Sequence, residues 1–219
     1  MRGLFLLLTF PLLSVAQTFP LETMEGLRAN KVVAEAVTHK GKKGIRVVEP
    51  ASASGDSEDR LLLLPITGFE NGTIEAEISG EPGGGAVQGA RGFVGVAFRV
   101  GEDTAKFDAF YLRPTNGRAD DQVRRNHSVQ YISHPAWTWS RLRTEEPKKY
   151  ESYVDLVPGE WTRVRIEVDG VKARLFVHGN AQPTLIVNEL KQGAWKGRVG
   201  LWIGPGTVGH FRNVKVTKK

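Results

Sequence analysis

The stretch Gly159-Glu-Trp-Thr-Arg-Val-Arg-Ile-Glu-Val-Asp-Gly170, continued by Ala173-Arg-Leu-Phe-Val-His178, decides the fold. Val164, Ile166 and Val168 alternate with Arg163, Arg165 and Glu167, and this period of two gives an extended strand one apolar and one charged face. The alternation resumes at Ala173 after Asp169-Gly170, and an Asp-Gly pair between two alternating runs is a strong hairpin signal. The same period recurs in Thr73-Ile-Glu-Ala-Glu-Ile78, with Ile74, Ala76 and Ile78 inward and Glu75 and Glu77 toward solvent. Phe93-Val-Gly-Val-Ala-Phe-Arg-Val100 is apolar on both faces, as a strand in the middle of a sandwich is. Ala109 to Arg113 is a strand stopped by Pro114, Val199 to Ile203 and Phe211 to Val216 close the chain, and Lys31 to Thr38 with Ile45 to Glu49 form a hairpin around residues 39–44. Roughly eight to twelve short strands separated by turn signals, with no amphipathic helix of useful length, make an all-β domain, a two-sheet jelly-roll sandwich.

Composition agrees. At 219 residues, 40% hydrophobic and 25% charged, the chain is ordinary globular protein of a length that suits one domain, and whole-chain disorder is excluded. The absence of Cys removes disulfide scaffolds, thiolate nucleophiles, Cys-ligated zinc or iron–sulfur sites and lipid-modified cysteine anchors. Arg2, the apolar run Gly3 to Leu13 and the small residues Ser14 and Ala16 read as a signal peptide cut after Ala16, too short and too Pro11-interrupted to span a bilayer. This predicts a leader over residues 1–16, a single domain over 17–219, and a secreted or periplasmic product that is not membrane-spanning. The formal charge is +6, and removal of Arg2 leaves +5. Nucleic acid is not the expected partner, because no nucleic-acid motif appears and the chain is exported. An anionic polysaccharide or an acidic envelope surface suits the charge better, with a merely solvated basic face as the plain alternative.

The excess charge collects in Arg113 to Lys149, and Arg113 to Tyr153 shows no clean alternation and is longer than a structural connection needs. Long irregular loops in compact domains usually carry function. Aromatic rings stack on the apolar faces of sugar rings while Arg, Asn and His satisfy hydroxyls, so the expected carbohydrate-binding residues are Arg113, Arg124, Asn126, His127, Tyr131, His134, Trp137, Trp139 and Arg141. Trp137 and Trp139, two apart, face the same side if the chain is locally extended; the competing reading makes them a satellite core under the loop. His127 and His134 do not have a standard metal-ligand spacing, although with Asp120 or Asp121 they could form a mixed His/carboxylate site. No metal is therefore assigned. Gly83-Gly84-Gly85 lacks the Lys-Ser/Thr and helix of a phosphate loop and reads as a turn.

Taken in order, Gly72 to Ile78, Gly92 to Arg99, Phe110-Tyr-Leu-Arg-Pro114, Gly159 to Gly170, Ala173 to Gly179, Gly197 to Trp202 and Phe211 to Val216 resemble the concanavalin A-like lectin/glucanase superfamily. Within it they are most similar to laminin-G-like and bacterial 3-keto-disaccharide hydrolase-type domains. The resemblance implies a curved jelly-roll sandwich whose concave sheet and rim loops bind glycans, and it admits a calcium ion among Asp56, Asp59, Glu102, Asp103, Asp108, Asp120 and Asp121. The Glu-x-Asp-x-x-Glu strand of the retaining glucanases is absent: Glu77 takes the place of the middle Asp and Gly80 that of the second Glu. Carbohydrate recognition is the leading expectation. The first alternative, which the resemblance implies, is a hydrolase or lyase acting on a modified disaccharide or glycoside, with His127 or His134 as acid/base near Asp120 or Asp121. The second alternative is a non-catalytic envelope protein-interaction module.

Overall fold

The computed structural model describes residues 16–51, 59–84 and 90–219; the leader segment Arg2 to Leu13 and Asp56 lie outside the described residues. Two antiparallel sheets form a sandwich. One contains β1 (Ala16–Phe19), β3 (Val33–His39), β4 (Lys42–Val48), β6 (Gly72–Pro82), β11 (Thr162–Asp169), β12 (Lys172–Val177), β13 (Leu185–Val187) and β15 (Thr207–Lys218). The other contains β2 (Arg28–Asn30), β5 (Leu61–Leu63), β7 (Val94–Val100), β8 (Phe107–Leu112), β9 (Val129–His134), β10 (Glu151–Ser152) and β14 (Arg198–Ile203). The eight-stranded sheet runs β13-β12-β11-β6-β15-β4-β3 with β1 on β15, and the seven-stranded sheet runs β10-β9-β8-β7-β14-β5-β2.

The alternating strands lie in the eight-stranded sheet. Val164, Ile166 and Val168 pair in register with Val177, Leu175 and Ala173 on β12 and with Ala76, Ile74 and Gly72 on β6, so one apolar face spans three strands. The expected hairpin is present one residue along. Asp169 pairs with Lys172, and the two turn residues are Gly170, at φ 57°, and Val171. The β3–β4 hairpin likewise turns more tightly than the Lys-Gly-rich stretch suggests, with His39 paired to Lys42 and only Lys40 and Gly41 between them.

The seven-stranded sheet is apolar on both sides. Its inward row, Leu201, Val96, Phe110 and Tyr131, packs toward the other sheet, while Trp202, Gly95, Tyr111 and Gln130 form the parallel outward row. Arg99, fully buried, ties the layers together. Its guanidinium donates to the carbonyls of Glu70 at 2.8 Å, Gly170 at 2.6 Å and Gly193 at 2.8 Å, joining the entry to β6, the β11–β12 turn and the approach to β14.

The segment 113–153 differs from the expected irregular loop. It folds as α1 (Gln122–Asn126), β9, α2 (Trp139–Glu145) and β10. Val129 to Tyr131 and Ile132 to Ser133 are buried on both faces, which removes the polar alternation that would have marked β9 as a strand. The helices are short and held by local caps: Asp121 Oδ1 accepts from the Arg124 N–H and Thr138 Oγ1 from the Arg141 N–H.

On the outer side of the eight-stranded sheet, His210 is buried against His39, ring stacked on ring at 3.8 Å, and its Nδ1 has no partner. Burial, then the charges of His39 and Arg46, holds its pKa down to about 4. The unfolded chain binds this proton near pH 6.5 and the folded chain does not, so His210 should weaken the fold as pH drops below that value. Urea unfolding of the wild type against His210→Phe between pH 6.5 and about pH 5 should show a pH-dependent loss about 1.5 kcal/mol larger in the wild type. Equal slopes would contradict this environment for His210.

Candidate functional site

The outward face of the seven-stranded sheet carries a groove of about 760 Å³, walled by Phe93, Tyr111, Ile132, His134, Trp139 and Trp202, with Lys31 and Asp59 at one side. Register explains the wall. Trp202 on β14 and Tyr111 on β8 both pair with Gly95 of the intervening β7, and their rings meet at 4.8 Å across it. Gly95 has no side chain because there is no room for one: a Cβ would stand 2.3 Å from the Phe110 carbonyl oxygen and 2.6 Å from Tyr111 Cβ. Farther along, His134 stacks on Phe107 at 4.8 Å, and burial lowers its pKa. Trp139, at the first position of α2 and 39% exposed, closes the groove from above the sheet.

Beyond Trp139 and Phe93 the surface continues into a second hollow of about 340 Å³, where Arg91, Arg113, Arg124 and Arg143 converge with Asn116 and His127. Arg113 lines this hollow and is 4% exposed. It donates to Tyr111 Oη at 2.7 Å and Gln130 Oε1 at 3.2 Å and lies 5.8 Å from the Trp139 ring centre. Glu151, on β10, faces Arg143 Nη2 at 2.9 Å and His127 Nδ1 at 2.6 Å. Burial, reinforced by Arg143 and Arg113, lowers the His127 pKa against the pull of Glu151.

Five of the residues expected from sequence converge here: Arg113, Arg124 and His127 in the basic hollow, His134 in the groove, and Trp139 in both. The others do not. Tyr131 lies on the inward row, fully buried, with its hydroxyl donating to Asp108 Oδ1 at 2.6 Å. Trp137 does not share a side with Trp139, because the chain turns into α2 between them instead of staying extended. Its ring is held between Lys191 at 4.4 Å and Arg141 at 3.9 Å, close to the satellite-core reading. Arg141 pairs with Glu145 at 2.8 Å, and Asn126 Oδ1 accepts from Gln122 Nε2. Asp121 caps α1 and Asp120 is exposed, so neither joins a histidine; His127 has Glu151 instead, and His134 sits in the other compartment.

The acidic groups considered for calcium are dispersed among the described residues. Asp108 is buried on Tyr131, Glu102 pairs with Arg198, Asp103 accepts within its own turn, and Asp59 pairs with Lys31. Glu75 and Glu77 point to solvent from the other sheet, as alternation predicts, with Lys215 and Lys42 beside them. One trio, His39, Glu81 and His210, brings ligand atoms within 4.8 Å of one another. Its imidazole planes are only 11° from parallel, which keeps the in-plane lone pairs from converging on one ion.

Residues the sequence reading passed over complete the site: Arg91, Phe93, Tyr111, Asn116, Arg143 and Trp202. Tyr111 and Trp202 belong to strands apolar on both faces, where the pattern cannot say which face is outward. The available signal was chemical: an aromatic ring with a polar tip beside a strand glycine in a sheet of this kind.

No family model and no curated relative matches the sequence. Solved structures match in fold. A protein of unknown function with a galectin-like fold from Bacillus subtilis aligns at 9% identity and TM-score 0.61, covering 93% of this chain and 96% of that one. The carbohydrate-binding module CBM66 from Bacillus subtilis aligns at 14% identity and TM-score 0.53 over 87% of this chain and 95% of that one. A Crh5 transglycosylase in complex with NAG aligns at 11% identity and TM-score 0.52 over 93% and 84%. Two-sheet β-sandwiches, one of them described as galectin-like, are thus what this chain is similar to, at identities that speak for fold alone.

Because Gly95 sets the approach of the two rings, Gly95→Ala should cost about 1–3 kcal/mol in urea unfolding and alter tryptophan emission of the folded state through Trp202. An unperturbed, equally stable variant would contradict this wall geometry.

Proposed function

We propose that this chain is an exported carbohydrate-recognising module that takes glycan in the groove over β7, β8, β9 and β14. Acidic polysaccharides are its favoured partners, and the resemblance to laminin-G-like and 3-keto-disaccharide hydrolase-type domains is part of the same reading. The observation that carries the proposal is Trp139, half-exposed between an aromatic groove and a hollow of guanidiniums. A sugar presents an apolar ring face and a rim of hydroxyls, and stacking planes beside charged donors complement both. The printed descriptions of two fold neighbours, a carbohydrate-binding module and a transglycosylase holding NAG, support glycan as the ligand class. Export rests on Arg2, the apolar run Gly3 to Leu13, and Ala16 at the cleavage position.

The test is binding of the 17–219 chain to a panel of neutral and acidic polysaccharides, with Trp139→Ala and Trp137→Ala side by side. Trp139→Ala should weaken saturable binding about tenfold or more, whereas Trp137→Ala, packed away from the groove, should keep binding and lose some stability. Equal loss in both variants, or binding unchanged by Trp139→Ala, would overturn the groove assignment. Absence of glycan binding would favour the protein-interaction reading, and turnover of a bound glycan would favour a hydrolase or lyase.

A further inference from the structure

The hollow beside Trp139 concentrates positive charge that the described residues neutralise only in part. Arg91, Arg113, Arg124 and Arg143 line it, and Glu151 is the carboxylate placed among them, already engaged by Arg143 and His127. The four guanidiniums are not equivalent. Arg143 is paired, and Arg113 is spent on Tyr111, Gln130 and the His127 carbonyl. Among the described residues the Arg91 guanidinium makes one hydrogen bond, to the Ala90 carbonyl at 3.3 Å. Arg124 is the outlier: its Nε is buried without a hydrogen-bond partner although its neighbours are cations. Burial, followed by the charges of Arg124 and Arg113, pulls the Arg91 pKa below the ordinary guanidinium range. Buried donors without acceptors in a like-charged cluster are costly, and a bound anion removes both costs at once.

The hollow also offers one acceptor. The side-chain amide of Asn116 donates to the His127 carbonyl at 3.1 Å, which fixes its orientation and leaves Oδ1 buried without a donor. Sulfate, which carries no O–H, has no use for that oxygen. A hydroxyl next to an acidic group does, and a sugar acid carries both.

We propose that this hollow is the seat of the acidic group of a sugar, with Arg91 and Arg124 binding its anionic oxygens and Asn116 Oδ1 accepting from a neighbouring hydroxyl. Arg113 supports the site from below, and Trp139 and Phe93, which border both compartments, carry the adjoining part of the ligand into the groove. The sugar half of this assignment rests on the carbohydrate reading above, while the anion half does not. A uronate carboxylate and a sulfate ester share the required chemistry, and the probes separate them.

The experiment follows thermal unfolding of the 17–219 chain with sodium sulfate, sodium glucuronate or glucose, all at one ionic strength set with sodium chloride so that general screening is constant. The proteins are the wild type, Arg91→Gln/Arg124→Gln, and Arg163→Gln, an exposed arginine on the other sheet. Sulfate and glucuronate should stabilise the wild type and Arg163→Gln, glucuronate more strongly than sulfate because it also serves Asn116, and glucose should not. The double variant should bind both anions at least about tenfold more weakly. In sodium chloride alone it should melt close to the wild type, since it loses mutually repelling charges together with one long contact to the Ala90 carbonyl, and this shows that it folds. Sulfate stabilisation without any preference for glucuronate would overturn the sugar half and leave an anion site. Absence of stabilisation, or stabilisation equal in the double variant, would overturn the proposal, and glycan binding that still depends on Trp139 would then leave the carbohydrate reading standing.

Discussion

A sheet with two apolar faces has to be covered twice. In this protein the eight-stranded sheet covers the inner face of β7, β8, β9 and β14, and nothing in the sandwich is left to cover the outer one. The chain meets this constraint with side chains and short elements: Trp202 and Tyr111 lean together over Gly95, His134 lies on Phe107, and α2 places Trp139 above the sheet. The covering is incomplete, and the remainder is a groove. A cavity lined by aromatic residues with a few convergent polar groups is the general form of a small-ligand site, and here it arises from the packing requirement itself.

The distribution of charge separates the two outer surfaces. On the eight-stranded sheet the charged positions of the alternating strands answer one another across the ladder, as Arg46 does Glu35, Lys42 does Glu77 and Lys215 does Glu75. Exposed pairs of this kind contribute little to stability, and they leave little field. Beside the groove, four guanidiniums line one hollow, and among the described residues only Arg143 of the four is paired with a carboxylate, that of Glu151. Arg113 is buried there and Arg91, Arg124 and Arg143 are half-buried, an accumulation of like charge that costs stability. Arg99 makes the contrast clear, since it is buried more deeply than any of them and is spent on carbonyls that hold the two layers together.

The sandwich was legible in the sequence wherever one face of a strand meets water. Val164, Ile166 and Val168, or Ile74, Ala76 and Ile78, announce both strand and facing, and the Asp169-Gly170 signal found its hairpin within one residue. Legibility failed where both faces are buried. Val129 to His134 carries no alternation and reads as loop, so a stretch taken for one long irregular segment is in fact helix, strand and helix. The same cause hid Tyr111 and Trp202 and placed Tyr131, which points into the core, among the ligand residues. Residues chosen for their chemistry fared by geometry: Arg113, Arg124, His127, His134 and Trp139 converge, while Trp137, Asn126 and Arg141 are turned aside by α1 and α2.

The proposed ligand surface is the outer face of the seven-stranded sheet. The five tryptophans make that directly observable, because each contributes one indole N–H resonance. In a titration with an acidic oligosaccharide, the account predicts that the Trp139 and Trp202 resonances move together while Trp161, beside His39 on the opposite sheet, and Trp195, beneath Lys106, stay in place. Movement of Trp161 with Trp139 and Trp202 unchanged would contradict it.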